Sequence, residues 1–110
     1  MMIESKFFEK IVANGNLWVA MQERDALCFE GEDNKVGLPV WCSNKDFNIF
    51  LTNTKFIDRV RPVEVPIEVF RSGWLKNPKI KFDELIINPD GYETEALVLT
   101  KSEFEDRLLC

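Results

Sequence analysis

The spacing of apolar and polar positions predicts alternating helices and strands. Apolar residues recur every three or four positions near the start of the chain and stop before Asn14-Gly15, which predicts an opening amphipathic helix. Short apolar or alternating runs, separated by polar turns such as Asn88-Pro89-Asp90-Gly91, are typical of strands. The predicted strands cover residues 17–22, 26–30, 36–41, 63–65, 85–87 and 96–99.

Helix-start signals follow three of these strands. Ser43 with Asp46 resembles a capping arrangement, and Thr100 with Glu103 forms a capping box. Pro66 is predicted at a first helical position, where its missing N–H costs nothing. These signals predict three further helices.

The predicted order is α-β-β-β-α-β-α-β-β-α, which indicates an α+β fold with about four helices and a sheet of about five to six strands. Hairpin-linked strands early in the chain favour mostly antiparallel pairing, with the helices gathered on one face. The 110 residues fit one domain spanning 1–110. We expect core packing for most of the aromatic residues and partial exposure for at least one tryptophan.

Charge narrows the classes of partner. The net charge is −5, and the acids concentrate between Glu23 and Asp33 and between Asp83 and Glu95. This acidity argues against nucleic-acid binding and favours a basic protein partner, although an acidic surface can also serve solubility alone. Three central bases indicate a solvated rim or, alternatively, an anion-facing patch: Arg59, Arg61 and Arg71.

Cysteine usage and hydropathy indicate the cellular compartment of the protein. No apolar run reaches the ~20 residues that span a bilayer, and charges interrupt the N-terminal segment where a signal peptide would need an apolar core. Cys28, Cys42 and Cys110 are odd in number and form no CxxC pair. We therefore expect a cytoplasmic protein with no membrane association, and buried, inert thiols at Cys28 and Cys42.

The residue types also limit the chemistry. The chain has no histidine, which excludes Ser-His-Asp and Cys-His catalysis, and it has no phosphate-binding glycine motif. The acidic run at 30–34 lacks the spacing of a calcium loop. We predict no enzyme activity, no catalytic residues, no metal and no cofactor; a pair of carboxylates assembled in space stays open as an alternative.

Several short motifs resemble a known family. Residues 38–41 read LPVW, residues 65–70 read VPIEVF, Trp74-Leu75 follows, and Asn88-Pro89 comes later. Together they resemble, over about residues 17 to 91, the small bacterial family catalogued as domain of unknown function number 2750. Here Val65 stands where that family usually has isoleucine. The family has no assigned catalytic residues, so the resemblance implies none.

A second resemblance, to bacterial toxin-immunity proteins, rests on size, acidity and the strand followed by an "xxEF" sequence. It implies a cytosolic protein that neutralises a toxin, typically a basic nuclease domain, by stoichiometric occlusion. The expected partner-binding residues are Glu30, Glu32, Asp33, Asp90, Glu93 and Glu95. The alternative is an interaction module of unknown role, a monomer or a homodimer paired through an edge strand.

Overall fold

The fold combines four helices with one mixed sheet, as seen in a computed structural model that describes residues 2–30, 34–54, 60–77, 79–89 and 97–109. The α+β class is confirmed, and the order matches the prediction except that seven strands are described instead of five to six, with four rather than three between the first two helices. The helices are α1 (Met2–Asn14), α2 (Asn44–Asn53), α3 (Ile67–Val69, continued by a π-helical segment, Phe70–Trp74) and α4 (Lys101–Leu109). The strands are β1 (Asn16–Gln22), β2 (Asp25–Ala26), β3 (Phe29–Glu30), β4 (Val36–Trp41), β5 (Val60–Pro66), β6 (Glu84–Ile87) and β7 (Leu97–Thr100).

The spatial order of the long strands is β5-β1-β4-β6-β7. Five of the six pairings between described strands are antiparallel, which confirms a mostly antiparallel sheet, and β4 pairs with β6 in parallel. The predicted strand at 26–30 is instead two short pieces. β2 pairs with the end of β1, and β3 pairs with the start of β4. The chain passes from the first pairing to the second because β1 and β4 diverge at this end of the sheet.

The larger core lies between one face of the sheet and the helices α1, α3 and α4. Phe7 and Phe8 of α1, Phe70 of the π-helical segment and Phe104 of α4 are buried there. The Phe104 ring lies within 5.2–6.3 Å of the other three ring centroids. These mixed edge and tilted contacts join three helices through one aromatic cluster.

The opposite face of the sheet carries a second, smaller core under α2. Phe47 and Phe50 of α2 pack on Trp41 and Ala20, and Trp41 Nε1 donates a hydrogen bond to the Pro89 carbonyl at 2.8 Å. The expectation that all helices gather on one face is therefore wrong for α2. Since β1 and β4 are apolar on both faces, the second face also requires a cover.

The helix starts follow the capping signals closely. The Ser43 hydroxyl accepts a bond from the Asp46 N–H at 3.1 Å. Thr100 and Glu103 exchange the two bonds of a capping box, at 2.9 and 3.1 Å. Pro66 takes the N-cap position rather than the first helical position predicted for it. Within the described residues, no helix combines the length and apolar character needed to cross a membrane.

Candidate functional site

One of the six predicted contact residues lies in the described part of the chain. Glu30 ends β3, and its side chain is exposed. The other five lie outside the described residues: Glu32, Asp33, Asp90, Glu93 and Glu95. The surroundings of Glu30 therefore provide the structural view of the predicted acidic contact surface.

Asp83 lies on the other side of β4 from Glu30, with Val36 between them. Glu30 is opposite Val36 at the start of β4. The Val36 N–H donates to Asp83 Oδ2 at 2.8 Å, and the Asp83 N–H donates to the Val36 carbonyl at 2.8 Å. This two-bond clamp holds the exposed Asp83 carboxylate at the same end of the sheet as Glu30.

Two further carboxylates extend this group across β6 and β7. Glu84 is opposite Gly37 on one side and Thr100 on the other. Glu103 Oε1 accepts the Thr100 N–H, which fixes it at the start of α4. These carboxylates lie at the same end of the sheet. Because successive residues of a strand face opposite sides, Glu30, opposite Val36, and Glu84, opposite Gly37, point to different faces. We call this group the acidic end of the sheet: Glu30, Asp83, Glu84 and Glu103.

Two lysines partly neutralise this surface. Lys35 is exposed next to Val36, and Lys101 lies with its Nζ 4.4 Å from the centroid of the Phe82 ring. The cation–π contact holds Lys101 against the Phe82 ring. With Lys35 and Lys101 included, four carboxylates face two ammonium groups at this end of the sheet. Sequence reasoning read Glu103 as a helix cap. It counted Asp83 and Glu84 in the second acidic segment but did not select them as contacts, because the parallel register that brings them near Glu30 cannot be read from local spacing.

A second surface, of opposite charge, borders the larger core. It is a cleft of about 400 Å³ between the end of β1 with the 24–28 segment and the chain after the π-helical segment. The turn after that segment is fixed by Asn77, whose carbonyl and side-chain oxygens accept the N–H groups of Ile80 and Lys79. We call it the basic cleft, lined by Met21, Arg24, Asp25, Ala26, Cys28, Trp74, Lys79, Ile80 and Lys81.

The basic cleft has an apolar floor and a charged rim. The floor residues pack against the larger core, and the Trp74 ring stacks on Phe70 with centroids 5.7 Å apart. The rim consists of three exposed bases and one exposed acid: Arg24, Lys79, Lys81 and Asp25. Sequence reasoning placed a possible anion-facing patch elsewhere. Of its members, Arg71 forms an ion pair with Glu68 at 2.9 Å, Arg61 lies exposed on β5, and Arg59 is outside the described residues.

The thiols differ in their surroundings. Cys42 is buried, as predicted, and its Sγ donates to Asp46 Oδ2 at 3.1 Å. Burial, followed by this hydrogen bond, raises the pKa of the Cys42 thiol to about 11. Cys28 is half-buried rather than buried, and burial also raises its pKa, while Cys110 is outside the described residues. Across the described ranges, no three Cys, Asp or Glu side chains converge as a metal site.

The comparisons with known proteins do not classify the chain. No protein-family model matches it, and no curated protein matches it. The resemblances to domain family 2750 and to immunity proteins therefore stay predictions. The fold class itself is a single mixed sheet with helices on both faces.

Proposed function

We propose that this protein is an immunity-type inhibitor that binds a basic toxin domain and occludes it stoichiometrically. The observation that supports the proposal is the acidic end of the sheet, where four carboxylates lie together at one end, with Glu30, Asp83 and Glu103 exposed and Glu84 half-buried. The proposed inhibitor acts in the bacterial cytoplasm, and its mechanism needs no catalytic group.

The geometry suits rapid capture of a cationic partner. Exposed carboxylates keep their hydration until contact, so they attract a basic surface over about one Debye length and cost little desolvation in the free protein. The chain as a whole carries a net charge of −5, which adds a long-range attraction of the same sign. Glu30 lies beside the acidic run that includes Glu32 and Asp33, so it links the described surface to the predicted contacts.

The test is a calorimetric titration against the C-terminal domain encoded by the immediately upstream reading frame, at low and moderate salt. We expect nanomolar one-to-one binding that weakens as salt rises. Glu30→Lys should weaken binding by roughly two- to thirty-fold, because reversing one exposed charge changes a contact by about 0.4–2 kcal/mol.

Glu64→Lys is the matched control. Glu64 is an exposed acid on β5, at the opposite edge of the sheet, so this substitution makes the same change in net charge. An equal loss of affinity in both variants would assign the effect to overall charge and remove the acidic end of the sheet from the proposal. Absence of binding by the unmodified protein would reject the inhibitor function itself.

A second candidate function, self-association through an edge strand, is favoured by a contrast between the two edges. Among the described residues, β5 pairs only with β1 and β7 pairs only with β6. Pro62 and Pro66 remove N–H donors from β5, which protects that edge. The β7 strand has no proline and no charge, and Leu97 and Val98 on it are 36% and 44% exposed.

Sedimentation equilibrium distinguishes this candidate from the inhibitor. If β7 pairs with its copy, the protein forms a dimer whose affinity changes little with salt, and Val98→Lys makes it monomeric. Val69→Lys is the control, because Val69 is a comparably exposed valine (50%) on α3. A protein that stays monomeric at millimolar concentration would exclude this second function.

A further inference from the structure

We infer that the basic cleft is a binding site for a small monoanion with an apolar body, of the type represented by a medium-chain carboxylate. This inference does not depend on the proposed inhibitor function, because none of the four carboxylates of the acidic end of the sheet lines the cleft. It assigns a ligand class to a surface that the inhibitor proposal leaves unused.

The size and floor of the cleft set the body of the ligand. A volume of about 400 Å³ lies in the lower part of the ~300–1,000 Å³ range of small-molecule sites. Met21, Ala26, Cys28, Trp74 and Ile80 present apolar surface that is anchored to the larger core. The stacked rings of Trp74 and Phe70 make one wall rigid, so a ligand is met by a surface that is already formed.

The rim sets the charge of the ligand. Arg24, Lys79 and Lys81 surround the opening, and among the described lining residues Asp25 is the one acid. The local charge is therefore +2, the difference of three bases and one acid, in a protein whose net charge is −5. A site of this sign attracts an anion, whereas the rest of the surface repels it.

The same features disfavour a polyanion. Asp25 would repel a second or third negative charge, and the apolar side chains of the floor would face a highly hydrated polyanion. A ligand with one carboxylate near Lys79 and Lys81 and an apolar chain against Trp74 matches both the positive charge of the rim and the apolar surface of the floor.

The experiment is an NMR titration of the ¹⁵N-labelled full chain with sodium octanoate, with octanol and octylammonium chloride as neutral and cationic probes. We expect octanoate to shift amide signals of residues 24–28 and 74–81, and to bind at least roughly tenfold more tightly than octanol. Equal binding of octanoate and octanol would overturn the role of the rim. Shifts scattered over the sheet, or absent, would overturn the site.

Charge reversal tests the rim directly. Lys79→Glu combined with Lys81→Glu should weaken octanoate binding by roughly tenfold or more, because two attractions become repulsions. Lys6→Glu combined with Lys45→Glu is the matched control, since it makes the same change in net charge at two exposed lysines, on α1 and α2, that do not line the cleft. Unchanged octanoate affinity in the double variant, or an equal loss in the control, would overturn the proposal.

Cys28 gives an independent readout that does not require a variant. Its half-buried thiol lines the cleft, so bound octanoate should slow its modification by a maleimide, measured by peptide mass mapping. Octylammonium at the same concentration should give no protection. Equal protection by both amphiphiles would contradict an anion-selective site.

Discussion

Replacement of Gly37 by alanine tests the packing that holds the acidic end of the sheet together. Gly37 lies on β4 between Phe29 of β3 and Glu84 of β6. The side chain of Ile86 lies over its Cα, so a Cβ added at Gly37 would be 2.8 Å from Ile86 Cδ1 and 2.9 Å from Ile86 Cγ1. Ordinary carbon–carbon contacts are about 3.5–4.0 Å, so the Ile86 side chain must move by roughly 0.6–1.2 Å.

The expected cost combines two opposing effects. Overpacking of this kind costs about 1–3 kcal/mol, and the branched Ile86 has few rotamers in which to escape. Alanine stabilises a strand by about 0.5–1 kcal/mol relative to glycine, which offsets part of that cost. We therefore expect Gly37→Ala to lower the free energy of unfolding by roughly 0.5–2 kcal/mol and the Tm by several degrees.

A double-mutant cycle with Ile86→Ala isolates the clash. Ile86→Ala removes both atoms that the new methyl group would meet, so in that background Gly37→Ala should be neutral or stabilise by up to about 1 kcal/mol. The assay is equilibrium urea unfolding of the four proteins, followed by tryptophan fluorescence.

The change of sign between backgrounds is the decisive result. If Gly37→Ala costs the same free energy with and without the Ile86 side chain, the steric reasoning is refuted. Gly73→Ala serves as the control, because a Cβ at Gly73 meets nothing within 4 Å in the π-helical segment. We expect that control to be neutral or to stabilise by about 0.5–1 kcal/mol.

Two further predictions concern the start of α2. Ser43→Ala removes the acceptor of the Asp46 N–H, so it should lower the free energy of unfolding, measured in urea, by about 1 kcal/mol. The control Ser102→Ala, at an exposed position of α4, should change it by less than about 0.5 kcal/mol. Equal costs in the two variants would contradict the capping role of Ser43. Because the pKa of Cys42 is raised from 9.0 to about 11, its thiol should resist maleimide at pH 8. The contribution of Cys42 to stability should be constant below about pH 9 and be lost as pH rises toward 11. Rapid labelling of Cys42 in the folded protein would contradict the first expectation. A loss of stability between about pH 9 and 11 that is equally large in Cys42→Ala would contradict the second.

The helix ends were predicted correctly where a capping residue stands next to a run of apolar residues at helical spacing. Gly15 has the left-handed φ of 76° that a helix-ending glycine permits, and its N–H donates to the Ile11 carbonyl at 2.8 Å. The capping box at Thr100 and Glu103 likewise marks the start of α4. In each case the signal acts within four residues, so tertiary contacts do not need to be known.

Long-range pairing explains what the sequence did not predict. A proline within a strand is typical of an edge strand or a bulge, yet Pro39 lies in the central strand β4. On one side β4 pairs with β3 at Val36 and Gly37 and with β1 at Val40 and Trp41, so Pro39 falls between the two ladders where no donor is used. The same divergence of strands divides the predicted 26–30 strand into β2 and β3.

The acidic end of the sheet was half visible in the sequence for a related reason. Glu30 belongs to a local run of acids, so composition finds it. Asp83 and Glu84 are 53 and 54 positions further along the chain, and they join Glu30 only through the pairing of β4 with β6. The basic cleft is similarly assembled from residues near 25 and near 80, whose charges appear unrelated in sequence.

The two surfaces share one segment, and this makes the two proposals mutually testable. Cys28 lines the basic cleft and Glu30 belongs to the acidic end of the sheet, only two residues apart. Glu30→Lys places a positive charge near the cleft, so it should weaken binding of a basic toxin domain while leaving octanoate binding equal or tighter. Lys81→Glu should do the reverse. Loss of folded structure weakens both activities together, and a change in net charge alone acts equally through Glu64→Lys and Lys45→Glu. Opposite responses that exceed those of these two control substitutions therefore indicate two distinct charged sites.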